Sequence, residues 1–442
     1  MRRSLLLLAV LGVAACGDSD APLTPSLQPS APSPLLVAED GSIPGQYIVA
    51  VDWGADALAV ARDFGIQPKY VYEHLLNGFA GAIPDAAVQA LTADPRVLKV
   101  SVQRQFRALG GPTVTTQANA TWGLDRVDQR LLPVDGTYSY QFSGAGVTAY
   151  VIDTGIRFDH EEFEGRATPG FDAYTADPVD PLLLPAPNDC HGHGTHVSGT
   201  IGGRTYGLAK QVRLVAVRVL NCAGYGSDAD VIAGMDWVAK TATLPAVVNM
   251  SLGDVVPTKT LGTNGPVDDA VRGMIASGIT VVVAAGNGWG NGTVGADACM
   301  FPIANVPEAI TVAASNNTDT RTTWTNYGAC VDLFAPGSSI TSAYNTGPSD
   351  TDVLSGTSMA SPHVAGAAAL VLEQSPGATP QQVRDVLVQG ATQNIIKPTT
   401  LNNFHTANSH LLYSRVLVPE AIKGKRGPTT PCTPKRKRDG QC

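Results

Sequence analysis

Ser355-Gly356-Thr357-Ser358-Met359-Ala360-Ser361-Pro362-His363-Val364-Ala365-Gly366 is the stretch on which the reading of the whole chain turns. Its polar, glycine-broken entry leads into the apolar run Val364 to Leu372. Small polar residues end a strand or loop, Pro362 suits only the first turn of a helix, and the alanines and leucines beyond it favour helix. Ser358 is therefore expected at a helix N-terminus. Unpaired N–H groups and the positive end of the helix dipole favour negative charge there, which suits a serine whose attack on a carbonyl creates an oxyanion. Taken alone, the same serine reads first as a helix cap, so partners elsewhere in the chain must decide.

Working outward, apolar strands alternate with helical patterns. Strands are expected at Val147 to Ile152, Val212 to Leu220, Ala246 to Leu252, Thr280 to Ala285 and Ala309 to Ala313. Helices are expected from about Gly194, over Asp228 to Lys240 and Asp268 to Ala276, and near 360–374 and 379–389. Such alternation predicts an α/β fold with a mostly parallel central sheet covered by helices on both faces. Chemistry is then expected in the loops at the carboxyl ends of the strands.

Two such loops carry titratable groups. Val151-Ile152-Asp153-Thr154-Gly155 closes a hydrophobic strand with a carboxylate, which a turn or cap would equally explain. His191-Gly192-His193-Gly194-Thr195-His196 places an imidazole where glycines allow close approach and a helix begins. Three histidines raise a zinc reading, but no carboxylate joins them in the His-Glu-x-x-His manner. Asp153, His193 and Ser358 together offer another chemistry. A serine hydroxyl needs a base to take its proton, and the base needs a carboxylate to hold its tautomer and stabilise the imidazolium.

The order Asp…His…Ser and the blocks Asp153-Thr154-Gly155, His193-Gly194-Thr195-His196 and Gly356-Thr357-Ser358-Met359-Ala360-Ser361-Pro362 resemble the signatures of the subtilisin-like serine peptidases. Trp122-Gly123-Leu124-Asp125-Arg126-Val127-Asp128-Gln129-Arg130 and the cysteine spacing resemble the proteinase K branch, most closely its aqualysin-like bacterial members. The resemblance covers about residues 43–415 and implies a subtilisin-like three-layer fold preceded by a small ferredoxin-like α+β prodomain. It assigns Ser358 as nucleophile, His193 as general base and acid, Asp153 as its orienting group and Asn287, in Ala284-Ala285-Gly286-Asn287, as an oxyanion donor. Read without the family, Asn287 is a turn residue in a glycine-rich loop. His191, His196 and His363 are taken as structural.

The resemblance also implies a cleft. Ser251-Leu252-Gly253 and Ala284-Ala285-Gly286 would wall the primary pocket, and Gly224-Tyr225-Gly226 would pair with an extended peptide. Main-chain pairing implies a broad endopeptidase, with apolar or aromatic side chains preferred in a small apolar pocket. Structural Ca2+ is implied at the Pro307 and Ala309 carbonyls with Asp332, and at a second site of Asp125, Asp128, Gln129, Asp135 and Thr137; surface acids and a turn are the plainer reading of both. A non-catalytic peptide-binding protein of this fold would be expected to lack a triad residue or the oxyanion amide, and none is missing. An esterase-like hydrolase is chemically close, but an inhibitor-like prodomain and a peptide-pairing cleft favour peptides.

The chain's 442 residues carry 30 basic and 38 acidic groups, a net charge of −8, which gives no reason to expect a nucleic-acid partner. Residues 1–16 read as an export signal, with Arg2 and Arg3 before an apolar segment too short to span a membrane. Val13-Ala14-Ala15-Cys16 resembles a lipoprotein signal that would lipidate Cys16; an ordinary signal peptide cut near the same place is the alternative. Residues 17–42, with Pro22, Pro25, Pro29, Pro32 and Pro34, read as a tether. Residues 43–108 read as a βαββαβ unit. Its segment Asn77-Gly78-Phe79-Ala80-Gly81 is its closest match to the family's inhibitor-like propeptide, implying an inhibitor and folding aid. Residues 109–120 read as the cleavage segment, 121–415 as the peptidase and 416–442 as a basic tail. Setting Cys16 aside leaves six cysteines, read as local pairs Cys190–Cys222, Cys299–Cys330 and Cys432–Cys442; metal ligation competes weakly because no Cys-x-x-Cys occurs. The expected product is an exported, self-processing monomer acting on proteins and peptides, its precursor anchored through Cys16 and its mature form extracellular.

Overall fold

The computed structural model describes residues 42–104, 113–175, 188–253, 265–288, 294–399 and 408–416. Cys16, the tether up to residue 41, Cys432, Cys442 and the tail from residue 417 lie outside them, while Ser42, read as the end of the tether, opens the first strand. The chain divides into two units, Met1–Leu109 and Gly110–Cys442.

In the first unit the elements run β1 (Ser42–Val51), α1 (Ala57–Asp63), β2 (Tyr70–Tyr72), β3 (Gly78–Ala82), α2 (Asp85–Ala93) and β4 (Val97–Arg104). The sheet order β2-β3-β1-β4, antiparallel throughout, is the ferredoxin-like arrangement expected from the sequence. Val49, Val51 and Phe79 meet Val60 and Leu91 in its core, the alternate residues of each strand facing the helices. Asn77 is spent on structure: its amide donates to the carbonyls of Asp52 and Ala55 at 2.6 and 2.9 Å.

The second unit opens with a hairpin of β5 (Thr115–Ala118) and β6 (Thr137–Tyr140), with α3 (Trp122–Val127) between them. Part of the expected cleavage segment, 115–118, is therefore a paired strand. Then follow β7 (Thr148–Asp153), β8 (Ala167–Asp172), α4 (His193–Gly202), β9 (Arg213–Arg218), α5 (Asp228–Thr241), β10 (Ala246–Met250), α6 (Pro266–Ala276) and β11 (Thr280–Ala284). The unit closes with β12 (Ile310–Ser315), β13 (Leu333–Pro336), the hairpin β14 (Ile340–Ala343) and β15 (Thr351–Leu354), α7 (Thr357–Gln374) and α8 (Pro380–Gly390).

Seven strands form one parallel sheet in the order β13-β12-β11-β10-β7-β9-β8. Alternation sorts their side chains: Ala149 and Val151 pack with α4 and α7, while Tyr150 and Ile152 pack with α5 and α6. Helices therefore cover both faces. β8 escapes the sequence reading because Pro169-Gly170 interrupts it, and the strand pairs β9 with a register shift there. α7 begins earlier than expected, which places Pro362 inside the helix rather than in its first turn. The Ser358 carbonyl, which a residue with an N–H at position 362 would have served, instead accepts from Ser251 Oγ at 2.9 Å. Among the described residues no helix is long and apolar enough to cross a membrane.

Candidate active site

Register explains why distant residues meet. β7, β10 and β11 are adjacent and parallel, pairing Met250 with Ile152 and with Val283. Their carboxyl ends bring Asp153, Ser251 and the Ala285–Asn287 turn to one edge of the sheet. The N-termini of α4 and α7 deliver His193 and Ser358, each helix beginning where a glycine breaks the preceding loop.

Asp153 is fully buried, and its Oδ1 meets His193 Nδ1 at 2.7 Å while also accepting from the Thr154 N–H at 2.8 Å. An acceptor so placed requires His193 to carry its proton on Nδ1, leaving Nε2 as the base. Gly194 makes this approach possible: a Cβ there would lie 2.2 Å from the Gly155 carbonyl oxygen. Burial disfavours the charged imidazole, yet the Asp153 carboxylate and, farther off, Asp189 outweigh it, so the His193 pKa is raised.

The third member of the expected triad is not yet engaged. Ser358 Oγ donates to the Ser251 carbonyl at 3.2 Å, and among the described residues no hydrogen bond joins it to His193. Such links are commonly loose before substrate binds. The Ser358 backbone N–H, in the first turn of α7, has no acceptor among the described residues. Beside it, Asn287 Oδ1 accepts from both the N–H and the hydroxyl of Thr357, at 2.8 and 2.9 Å. The Thr357 N–H can only donate, which fixes that end of the amide as oxygen and leaves Nδ2 at the other end. Among the described residues the Ser358 N–H and Asn287 Nδ2 lack acceptors and His193 Nε2 lacks a partner, and with a serine hydroxyl beside them they make a site suited to acyl transfer.

The cleft walls follow in part. Ser251 and Ala285 are buried, Leu252 is half-buried and Gly253 exposed. Gly224-Tyr225-Gly226 is a turn rather than a strand. Tyr225 N–H donates to Asn221 Oδ1, and its carbonyl accepts from the Asn221 N–H and Tyr174 Oη. The middle residue of the expected pairing edge is thus already bonded. The Gly224 N–H is likewise spent, on the Asn221 carbonyl at 2.9 Å, so main-chain pairing is left to the Gly224 carbonyl and to Gly226. Cys190–Cys222 and Cys299–Cys330 are disulfides as expected. His196 and His363 are buried, pushed down to about 4 by burial, and bonded to backbone carbonyls of Ile340, Asp352 and Met359. His191 accepts from the His193 N–H and stays outside the triad.

The two expected calcium sites differ in fit. Asp332 Oδ1 is paired with Arg384 and Oδ2 accepts from the Thr311 N–H at 2.8 Å. A guanidinium already supplies the positive charge there, so Pro307, Ala309 and Asp332 do not fit a dication as arranged. At the second site Asp128 is buried with Oδ2 on the Ser139 N–H and Oδ1 lacking any partner among the described residues. Burial, with Asp125 and Asp135 adding to it, pushes its pKa up to about 6. Asp125 accepts from Gln129 Nε2 and from the N–H groups of Asp135 and Gly136, and Asp135 from Thr137. Among the described residues no three acidic side chains converge as a metal cluster, and the one feature here that suits a hard cation is the orphaned Asp128 oxygen.

Several residues escaped sequence reasoning. Asp189 is a buried carboxylate accepting from Thr154 Oγ1, the N–H groups of His191, Gly192 and Thr195, and Thr195 Oγ1. Asn249 and Ser361 bond each other at 2.8 Å, three residues beyond Ser358 on α7. Only the proximity of Asp189 to the histidine block could have drawn notice.

A model described as the subtilase family matches residues 144–409. An extracellular serine proteinase of Thermus sp. (strain Rt41A) is 45% identical over 418 residues, covering 89% of this chain and 95% of the relative. Alkaline serine exoprotease A of Vibrio alginolyticus is 45% identical over 339 residues, covering 76% of this chain and 59% of the relative. The crystal structure of a cold adapted subtilisin-like serine proteinase aligns with a TM-score of 0.59 and 47% identity, over 67% of this chain and 99% of that one.

Proposed function

This chain belongs to the subtilase family of serine peptidases, and from that premise we propose that Ser358, His193 and Asp153 cleave peptide bonds with broad side-chain preference, after the chain has removed its own N-terminal unit. It is an exported serine endopeptidase.

In the proposed cycle Ser358 Oγ turns from the Ser251 carbonyl to His193 Nε2 and attacks the scissile carbonyl as Nε2 takes its proton. The new imidazolium is held by Asp153, and the oxyanion by the Ser358 N–H and Asn287 Nδ2. His193 then gives the proton to the departing amine, leaving an acyl-enzyme on Ser358 Oγ. Water, deprotonated by the same Nε2, attacks the acyl carbon, and the acid leaves as the bond to Ser358 Oγ breaks and Oγ recovers the proton from Nε2. The observation that carries this reading is the 2.7 Å bond between His193 Nδ1 and a fully buried Asp153, which has no purpose in a merely capped helix.

We further propose that the ferredoxin-like unit acts as inhibitor and folding aid until it is cut off, and that Cys16 carries a lipid on the precursor. Asp128, with Asp125, Asp135, Gln129 and Thr137, would hold Ca2+, which when bound would supply it with positive charge. At Asp332 calcium would first have to displace Arg384. Intact mass and N-terminal sequence of wild type and Ser358→Ala, with peptidase assays on both, test the core of this. Wild type should lose its first unit and cleave peptides, while the variant stays full length and inert. A variant that matures and cleaves as well as wild type refutes the assignment.

A further inference from the structure

Asn287 is exposed, so what holds its amide in place must lie beneath it. Thr357 fixes the oxygen end of the side chain. The backbone on either side is held largely by Asn326, which is fully buried and more than thirty residues farther along the chain, with the Ala285 and Gly286 N–H groups donating to the Val312 carbonyl and Thr357 Oγ1. Asn326 Nδ2 donates to the Ala285 carbonyl at 2.8 Å, and its Oδ1 accepts from the N–H groups of Gly288 and Ala296, both at 2.9 Å. Its main-chain N–H donates to the Gly286 carbonyl at 2.9 Å. The carbonyls two and one residues before Asn287 and the N–H just after it thus all end on one residue. Packing there is close as well. Gly286 has φ +97°, and a Cβ on it would stand 2.4 Å from Asn326 Nδ2.

We propose that Asn326 is a positioning residue that sets where the Asn287 amide points, and so how well the site stabilises the oxyanion. The inference rests on Asn287 being an oxyanion donor. An amide is the chemistry the position needs: one planar group offers a donor to Ala285 and a two-lone-pair acceptor to Gly288 and Ala296. Aspartate has the same shape but sets a negative oxygen against the Ala285 carbonyl, which pushes the turn away. Because donors act only at their proper distance from the developing charge, a small displacement is read mainly in turnover.

The test compares wild type, N326D, N326S, N287A and N287A/N326D, each processed by a trace of tagged wild-type enzyme that is then removed. kcat and KM are measured on a chromogenic peptide, with Ki for a peptide aldehyde, whose adduct carries an oxyanion, and for the matching peptide alcohol, which forms none. N326D should lower kcat about 10–100-fold, within the loss expected for a missing donor, with KM changed less than about twofold. Aldehyde binding should weaken by the same factor and alcohol binding hardly at all. On the N287A background the added loss should nearly vanish, since a misplaced donor costs nothing once deleted. Full additivity of the two substitutions, or equal weakening of aldehyde and alcohol, overturns the inference. So does failure of both N326D and N326S to yield processed enzyme, which would make the residue one of folding alone. If N287A itself keeps wild-type kcat, the oxyanion assignment of Asn287 fails instead.

Discussion

Replacing Asp189 by asparagine separates two jobs that one buried carboxylate performs. Its Oδ1 accepts three hydrogen bonds and its Oδ2 two, the latter from the N–H and hydroxyl of Thr195 in the first turn of α4. An asparagine must put its NH2 at one of these positions. At the Oδ2 position it faces the Thr195 hydroxyl, which can turn to accept, and the Thr195 N–H, which cannot. At least one buried N–H is orphaned, and the remaining bonds lose their charge, for a combined cost of about 2–5 kcal/mol. The second job is electrostatic. Asp189 helps to raise the His193 pKa, so losing its charge lowers that pKa. His193 must be neutral to act as base, and activity is present above its pKa; the acid limb of kcat/KM therefore moves to lower pH in the variant. The plateau should fall about tenfold to hundredfold, because the loop holding the base is loosened. Both effects are read from kcat/KM across pH 5 to 9 and from denaturant unfolding of the covalently inhibited enzyme. An acid limb that stays in place or moves upward, or unchanged stability, refutes this account of Asp189.

Arg126 and Asp319 form a bidentate pair at 2.7 and 3.1 Å with both side chains nearly inaccessible; Arg126→Met or Asp319→Asn should each cost about 3–5 kcal/mol, measured by denaturant midpoint, with the double replacement recovering part of the loss. Chelating calcium should lower the unfolding temperature, and Asp128→Asn should abolish most of that response, which for a site filled a thousandfold above its Kd is about 4 kcal/mol. Asp332→Asn should leave the response intact, because Arg384 and not a dication faces it. Lys210 is buried among the carbonyls of Arg204, Thr205 and Gly207, and burial pushes its pKa down to about 8. The unfolded chain binds the extra proton between about pH 8 and the ordinary lysine value, so in that window stability rises with pH; Lys210→Met should remove this rise in a pH series of melts, and a parallel series would contradict it.

The parts of the site that were legible in the sequence are those where backbone chemistry repeats locally. Asp153 closes an unbroken apolar strand, His193 follows a glycine at a helix start, and Ser358 sits between a glycine and an alanine-rich helix, so residue type alone marks each position. The alternation of strands and helices gave away the parallel sheet because buried strands read as continuous Val and Ala runs. What stayed hidden are polar residues whose partners lie far along the chain. Asn326 serves carbonyls about forty residues before it, and Arg384 meets Asp332 across 52 residues. No periodicity announces either one. The short β13, β14 and β15 were missed because four residues are too few for a pattern to emerge.

Pro362 shows how a local misfit becomes part of the mechanism. A proline inside a helix leaves the carbonyl four residues earlier without its donor, and here that carbonyl belongs to Ser358 itself. Ser251 Oγ fills the gap, while accepting from Asn249 Nδ2 at 2.9 Å; Asn249 Oδ1 in turn accepts from Ser361 Oγ at 2.8 Å. This explains why a fully buried strand of otherwise apolar residues carries Asn249. A buried network of this kind is costly if any member is lost, so Ser251 and Ser358 cannot shift independently. The resting bond from Ser358 Oγ to the Ser251 carbonyl is a neutral one at 3.2 Å, worth about 1 kcal/mol. Turning the hydroxyl to His193 thus gives up little, while the backbone that carries it stays tied to Ser251.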